Sequence, residues 1–232
     1  MAGTDGIDPA AVAIRVADIR ARIRASASGR EVRLVAVTKG FGPDAVAAVA
    51  AAGVGDIGEN YAQELLAKLD GLTLPAGVAR PRIHFIGRLQ SNKVRSLAGA
   101  VDCWQSIDRP SLLASLARAV PGAPVLIQVN VSDEPDKAGC APDAVDALVD
   151  AARAADLEVV GLMAVGRTGP PEQARPGFRL LRSLVDRLGL PECSMGMSGD
   201  LEVAIEEGST MVRVGSALFG DRPRPGEVIA VA

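Results

Sequence analysis

The sequence predicts an α/β fold of the TIM type, a single-domain (β/α)8 barrel preceded by one N-terminal helix. Three observations predict it. Short β-branched runs alternate with Ala- and Leu-rich amphipathic runs almost to the end of the chain, the candidate strands number eight, and none of them reads as an exposed edge. Repeated βα units of about 25 to 30 residues require parallel pairing, because each crossover is long enough for a helix. At 232 residues with 48% hydrophobic residues, the chain can bury one sizeable core, within the usual range for one such barrel.

Asp8 and Pro9 open the leading helix, expected over residues 9–28, in which Val12, Ile14, Val16, Ile19 and Ile23 recur at broadly helical spacing up to the stop at Gly29. The strands are expected over residues 32–38, 55–58, 83–86, 101–106, 125–131, 158–163, 192–195 and 211–214. Helices begin near Pro43, Asn60, Ser91, Pro110, Pro142, Pro171 and Ser198, most of them marked by Pro or a capping polar residue. Residues 166–177, rich in Gly and Pro, form the best candidate for a mobile loop, 71–81 come second, and 221–232 read as a tail.

Charge and composition exclude several classes. A formal net charge of −3, with Lys and Arg scattered among acids, offers no field for a phosphate backbone, so no nucleic-acid partner is expected. No stretch approaches the roughly 20 apolar residues of a membrane span, and the N-terminus lacks the apolar core of a signal peptide. Cys103, Cys140 and Cys193 stand far apart without a CxxC, as expected of reduced, structural thiols in a cytoplasmic protein. His84 is the only histidine and has no companion at ligand spacing, so no metal site is expected and His84 reads as a hydrogen-bonded strand residue.

In such barrels chemistry sits at the C-terminal ends of the strands. Lys39 ends the first strand (LVAVTKG), where desolvation would lower its pKa and free the amine to attack an aldehyde; the alternative is a solvated surface lysine. After the seventh strand, Ser198 and Gly199 open a helix whose first turn carries free N–H groups, and after the eighth, Gly215 and Ser216 can add more. Either pair alone could be an ordinary cap or turn, but on adjacent strands they favour a phosphate. An amine facing a phosphate across the mouth is what a phosphorylated aldehyde needs. Arg213, inside the last strand, must face a partner: either a cofactor ring nitrogen, whose protonation it would disfavour, or an acid such as Glu59 or Asp200. Asn60 and the run from His84 to Lys93 put further polar groups after the second and third strands. Met163, Met195 and Met197 sit near strand ends, where core filling is the simpler reading, and Lys137 reads as a solvated loop lysine.

Read together, LVAVTKG, GENYAQE, HFIGRLQSNK, VNVSDEPDKAGC, GLMAVG, SMGMSGD and VRVGSALFG resemble, in unbroken order, the pyridoxal phosphate homeostasis protein family, whose fold is similar to the N-terminal barrel of alanine racemase. The resemblance implies pyridoxal 5′-phosphate (PLP) as cofactor, held as a Schiff base on Lys39. It implies phosphate contacts at Ser198, Gly199, Gly215 and Ser216, a ring-nitrogen contact at Arg213, and a pocket lined by Asn60, Ser194 and Met195. The expected function is a carrier in intracellular PLP homeostasis that exchanges the cofactor with apo enzymes or free amino acids without turning the latter over, and so has no catalytic residue. The alternative is a fold-type III amino-acid racemase, which needs a second acid/base on the far face of the cofactor. Tyr61 is the sole tyrosine, and no added β domain follows the eighth strand to supply another. A Lys-dependent aldolase or phosphosugar isomerase without cofactor shares the barrel, the lysine and the phosphate loops. A monomer is expected, because the domain that dimerises related racemases is missing.

Overall fold

The computed structural model describes residues 7–132 and 134–220; the tail expected over residues 221–232 lies outside them. Parallel strands β1 (Arg33–Val37), β2 (Asp56–Glu59), β3 (Arg82–Phe85), β4 (Cys103–Ile107), β5 (Pro124–Gln128), β6 (Glu158–Met163), β7 (Glu192–Ser194) and β8 (Met211–Val214) close into a barrel in sequence order. All eight expected strands are there, each within three residues at either end. The largest difference is β5, which stops at Gln128 because Val129 makes only an isolated bridge to Cys140. Closure sets Val35 of β1 beside Arg213 of β8.

The leading helix α1 (Pro9–Ser26) is capped by Asp8, whose Oδ1 accepts from Ala10 N–H at 2.9 Å. It ends two residues before the expected boundary because Ser28 and Gly29 take positive φ, 49° and 82°. Around the barrel follow α2 (Pro43–Ala51), α3 (Ala62–Asp70), α4 (Val94–Leu97), α5 (Pro110–Ala119), α6 (Val145–Ala154), α7 (Arg175–Arg187), α8 (Leu201–Glu206) and α9 (Ser216–Phe219). Tight 3-10 turns lead into α4, α6 and α7, so half of the expected loop over residues 166–177 is helical. Two helices start later than expected. Asn60 and Tyr61 stay extended before α3, and Ser198 to Asp200 form a turn before α8.

Strand alternation separates two interiors. Outward-facing Ala36, Ile57, Phe85, Trp104 and Val212 join the apolar faces of the helices in one large core. The inward-facing set differs: Cys103, Leu126 and Met163 form a small apolar cluster, and beside them His84, Gln105, Ser194 and Arg213 are all buried. Cys103 and Cys193 are buried and Cys140 half-buried, and burial pushes the first two thiols up to about 12 and the third up to about 11. Among the described residues no group of His, Cys, Asp and Glu could hold a metal ion, and no helix is long and apolar enough to cross a membrane.

Candidate functional site

The C-terminal ends of the strands enclose a cavity of about 730 Å³, and seven of the nine sequence-predicted residues line it: Lys39, Asn60, Ser198, Gly199, Arg213, Gly215 and Ser216. The parity of the strands explains how. Val35, Val37 and Lys39 project to one side of β1 and its extension, and Gly58 and Asn60 do the same after β2. Lys39 is half-buried at the rim.

The other two predicted residues sit elsewhere. Ser194 faces inward but one layer below the cavity, where it contacts Arg213. Met195, one residue on, faces outward into the core between barrel and helices, packed against Cys193. Met163 and Met197, which the sequence favoured as core filler, do line the cavity, together with Phe41, Ile86 and Val165.

Arg213 is the charged floor. Its Nη1 donates to Ser194 Oγ at 2.7 Å and its Nη2 to the carbonyl of Ala164 at 2.8 Å. Among the described residues no carboxylate lies within ion-pair distance of it, which removes both acids considered as partners. Glu59 has the opposite parity and faces Lys68 of α3; Asp200 Oδ1 accepts instead from Met197 N–H at 2.6 Å. Burial pushes the Arg213 guanidinium down to about 10, opposed by the more distant charge of Asp200. A guanidinium has five N–H donors and no acceptor, so a molecule in the cavity that meets its remaining N–H groups must offer an acceptor there.

The turns after β7 and β8, the latter beside β1, supply donors to the same cavity. Among the described residues no protein acceptor takes the N–H of Ser198, Gly199 or Ser216. Ser198 Oγ accepts from Ala217 N–H at 3.4 Å, which ties the turn after β7 to α9. The helix expected to begin at Ser198 is instead this turn, so the free amides belong to a turn and to the first residue of α9. Asn60 adds a buried carboxamide oxygen with no partner. Gly87 presses on it from β3's exit: a Cβ there would fall 2.0 Å from Asn60 O, so only glycine passes.

A network that sequence reading missed braces both neighbours of Lys39. Lys68 Nζ donates to the carbonyl of Thr38 at 2.8 Å, pairs with Glu59, and reaches Glu64 Oε1 at 3.1 Å. Thr38 Oγ1 donates to Glu59 Oε1 at 2.5 Å, and Gly40 N–H donates to Glu64 Oε1 at 2.5 Å. The one sequence signal was the i, i+4 spacing of Glu64 and Lys68 on α3. Lys137 is likewise tied rather than solvated, donating to Gly166 O and pairing with Glu134, both at 2.5 Å.

A family model described as the N-terminal domain of alanine racemase matches residues 7–223. A pyridoxal phosphate homeostasis protein of Pseudomonas aeruginosa is 44% identical over 225 residues, covering 91% of this chain and 96% of its own length. Among solved structures, an unknown protein from Bifidobacterium adolescentis matches with a TM-score of 0.82 at 34% identity, over 93% of this chain and 98% of that one. PipY of Synechococcus elongatus, solved with PLP bound, matches with a TM-score of 0.76 at 29% identity, over 90% of this chain and all (100%) of that one. With a closed eight-stranded barrel, a family model along nearly its whole length and a relative this similar almost end to end, the chain belongs to the pyridoxal phosphate homeostasis protein family, which shares the alanine racemase N-terminal domain.

Proposed function

We propose that this protein holds pyridoxal 5′-phosphate in the cavity at the barrel mouth and serves intracellular homeostasis of that cofactor, taking it up and releasing it without turning over an amino acid. The observation that carries the reading is one cavity with an amine on one wall, unclaimed backbone N–H groups on another, and a buried guanidinium as its floor. The donor set fits the molecule. Lys39 supplies the nitrogen for the aldehyde carbon; the turns at Ser198, Gly199, Gly215 and Ser216 suit the phosphate, and Arg213 suits an unprotonated ring nitrogen. When bound, the cofactor supplies an electrophilic carbon that takes an amine nitrogen with loss of water. Free amino acids and the lysines of apo enzymes carry the same kind of amine, so exchange with them is the expected traffic.

Two features support a carrier over a racemase. Arg213 disfavours protonation of the ring, and an unprotonated ring is a poor electron sink. Tyr61, the one tyrosine of the chain, is 56% exposed and is not among the residues lining the cavity. The test is titration of the purified protein with PLP, followed by visible absorption. A protein-bound band is expected in the wild type and its loss in Lys39→Ala, with weaker non-covalent binding remaining through the turns. A Lys39→Ala band at full intensity overturns the role of Lys39. Racemisation of L- or D-alanine above the cofactor-only background, lost in Lys39→Ala, overturns the carrier reading.

A further inference from the structure

Beneath the cavity a buried line of hydrogen bonds crosses the barrel. Arg213 Nη1 reaches Ser194 Oγ at 2.7 Å; Ser194 Oγ reaches Gln105 Oε1 at 2.8 Å; Gln105 Nε2 reaches His84 Nδ1 at 2.7 Å; His84 Nε2 reaches Asp56 Oδ1 at 2.8 Å. It runs from β8 through β7, β4 and β3 to the start of β2, and Ser194, Gln105 and His84 have no exposed surface (0%). Asp56 stands at the opposite end of the barrel from the cavity, where its carboxylate is within reach of water.

The direction of every bond follows from the first. A guanidinium only donates, so Ser194 Oγ accepts from it and turns its own proton on to Gln105 Oε1. That sets the Gln105 amide with Nε2 toward the imidazole, and the second N–H of Gln105 Nε2 meets Met211 Sδ at 3.1 Å. His84 Nδ1 must therefore accept, so Nε2 carries the proton and gives it to Asp56. A cation stands at one end and a carboxylate at the other, with each neutral group polarised the same way between them. Reversing one link while its neighbours keep their directions would set two donors or two acceptors face to face in a buried site, at a cost of about 1–3 kcal/mol.

We propose that Gln105 and His84 are positioning residues for the cofactor, holding the Arg213 guanidinium through Ser194 at the angle that presents its remaining N–H groups to the ring. The inference rests on the proposed binding of PLP. It adds that a residue two contacts away from the cavity sets the ring's environment while leaving the phosphate turns alone. Ser194 is thereby a support of Arg213 rather than a pocket wall.

The test compares wild type with Gln105→Met, which keeps the side chain's length but neither donates nor accepts as an amide does, and with Gln105→Glu, which keeps the acceptor for Ser194. Three quantities are read: the affinity for PLP, the absorption maximum of the loaded protein, and the inhibition constant of inorganic phosphate as a competitor. Gln105→Met is expected to weaken PLP binding about tenfold and move the band, with the phosphate constant unchanged. Gln105→Glu is expected to lose less affinity than Gln105→Met, as its carboxylate still accepts from Ser194 although its second oxygen meets the accepting Nδ1 of His84. Should Gln105→Met not fold, Ser194→Ala, a far smaller change, reads the same quantities with the same expectation. Wild-type protein that binds PLP with a band and affinity untouched by Gln105→Met, or by Ser194→Ala, overturns the inference, and so does a loss that falls equally on phosphate. Wild-type protein that binds no PLP overturns the proposed function itself, a result visible before any variant is made.

Discussion

Lys68 is a cation almost wholly withdrawn from water, 4% exposed, between the carboxylates of Glu59 and Glu64 and the carbonyl of Thr38. Glu59 is buried completely, and burial raises its carboxyl above the ordinary range even with Lys68 beside it. Removing one partner of such a pair leaves an uncompensated charge, a loss of about 3–5 kcal/mol. Lys68→Met is therefore expected to lower thermal stability by that order and to loosen Lys39, whose neighbours Thr38 and Gly40 are both anchored to this network. The pH dependence has a definite sign. Without Lys68 the folded state holds a proton on Glu59 that the unfolded chain releases, so the variant's stability is retained below the ordinary carboxylate range and lost as pH rises through the raised value. Its melting temperature should fall further below wild type at pH 8 than at pH 5; an equal deficit at both would refute the buried-pair account.

At the scale of elements, strands carried the clearest signal. Their β-branched runs are bounded by Gly, Pro and charged residues, and in the closed barrel their alternation puts Lys39, Asn60 and Arg213 on the inner face, where the cavity lies. The same alternation, applied one residue further, separates Ser194 from Met195; a family likeness that spans both does not. Helix boundaries were less legible. Ser198 resembles a cap, but Asp200 is the residue that precedes α8, and α9 is a four-residue turn too short for any periodicity. Gly87 is where two strand exits cross. Gly87→Ala drives a Cβ into the backbone of Asn60, so overpacking should cost about 1–3 kcal/mol of stability and weaken PLP binding at least about tenfold. A variant with wild-type affinity would mean that the β3 exit moves freely and that Asn60 is not held there by contact.

The whole molecule is a barrel with an apolar jacket and a polar axis. The jacket was readable, because amphipathic periodicity reports which face of a helix meets the sheet. The axis was not: Gln105 in a strand has no signature in a single sequence, and His84 could be recognised as hydrogen-bonded without its partners being known. What links these residues is closure, which brings β8 beside β1 and lets side chains from β2, β3, β4, β7 and β8 meet across the interior. The account of function depends on one consequence of that closure, that the Lys39 amine and the turns after β7 and β8 line a single mouth. Borohydride reduction of the PLP-loaded protein, followed by mass mapping of its peptides, tests this most directly. The account predicts one reduced adduct per chain, on the peptide that carries Lys39. An adduct on Lys68, Lys93 or Lys137 with Lys39 unmodified, or no adduct on a loaded protein, would contradict it.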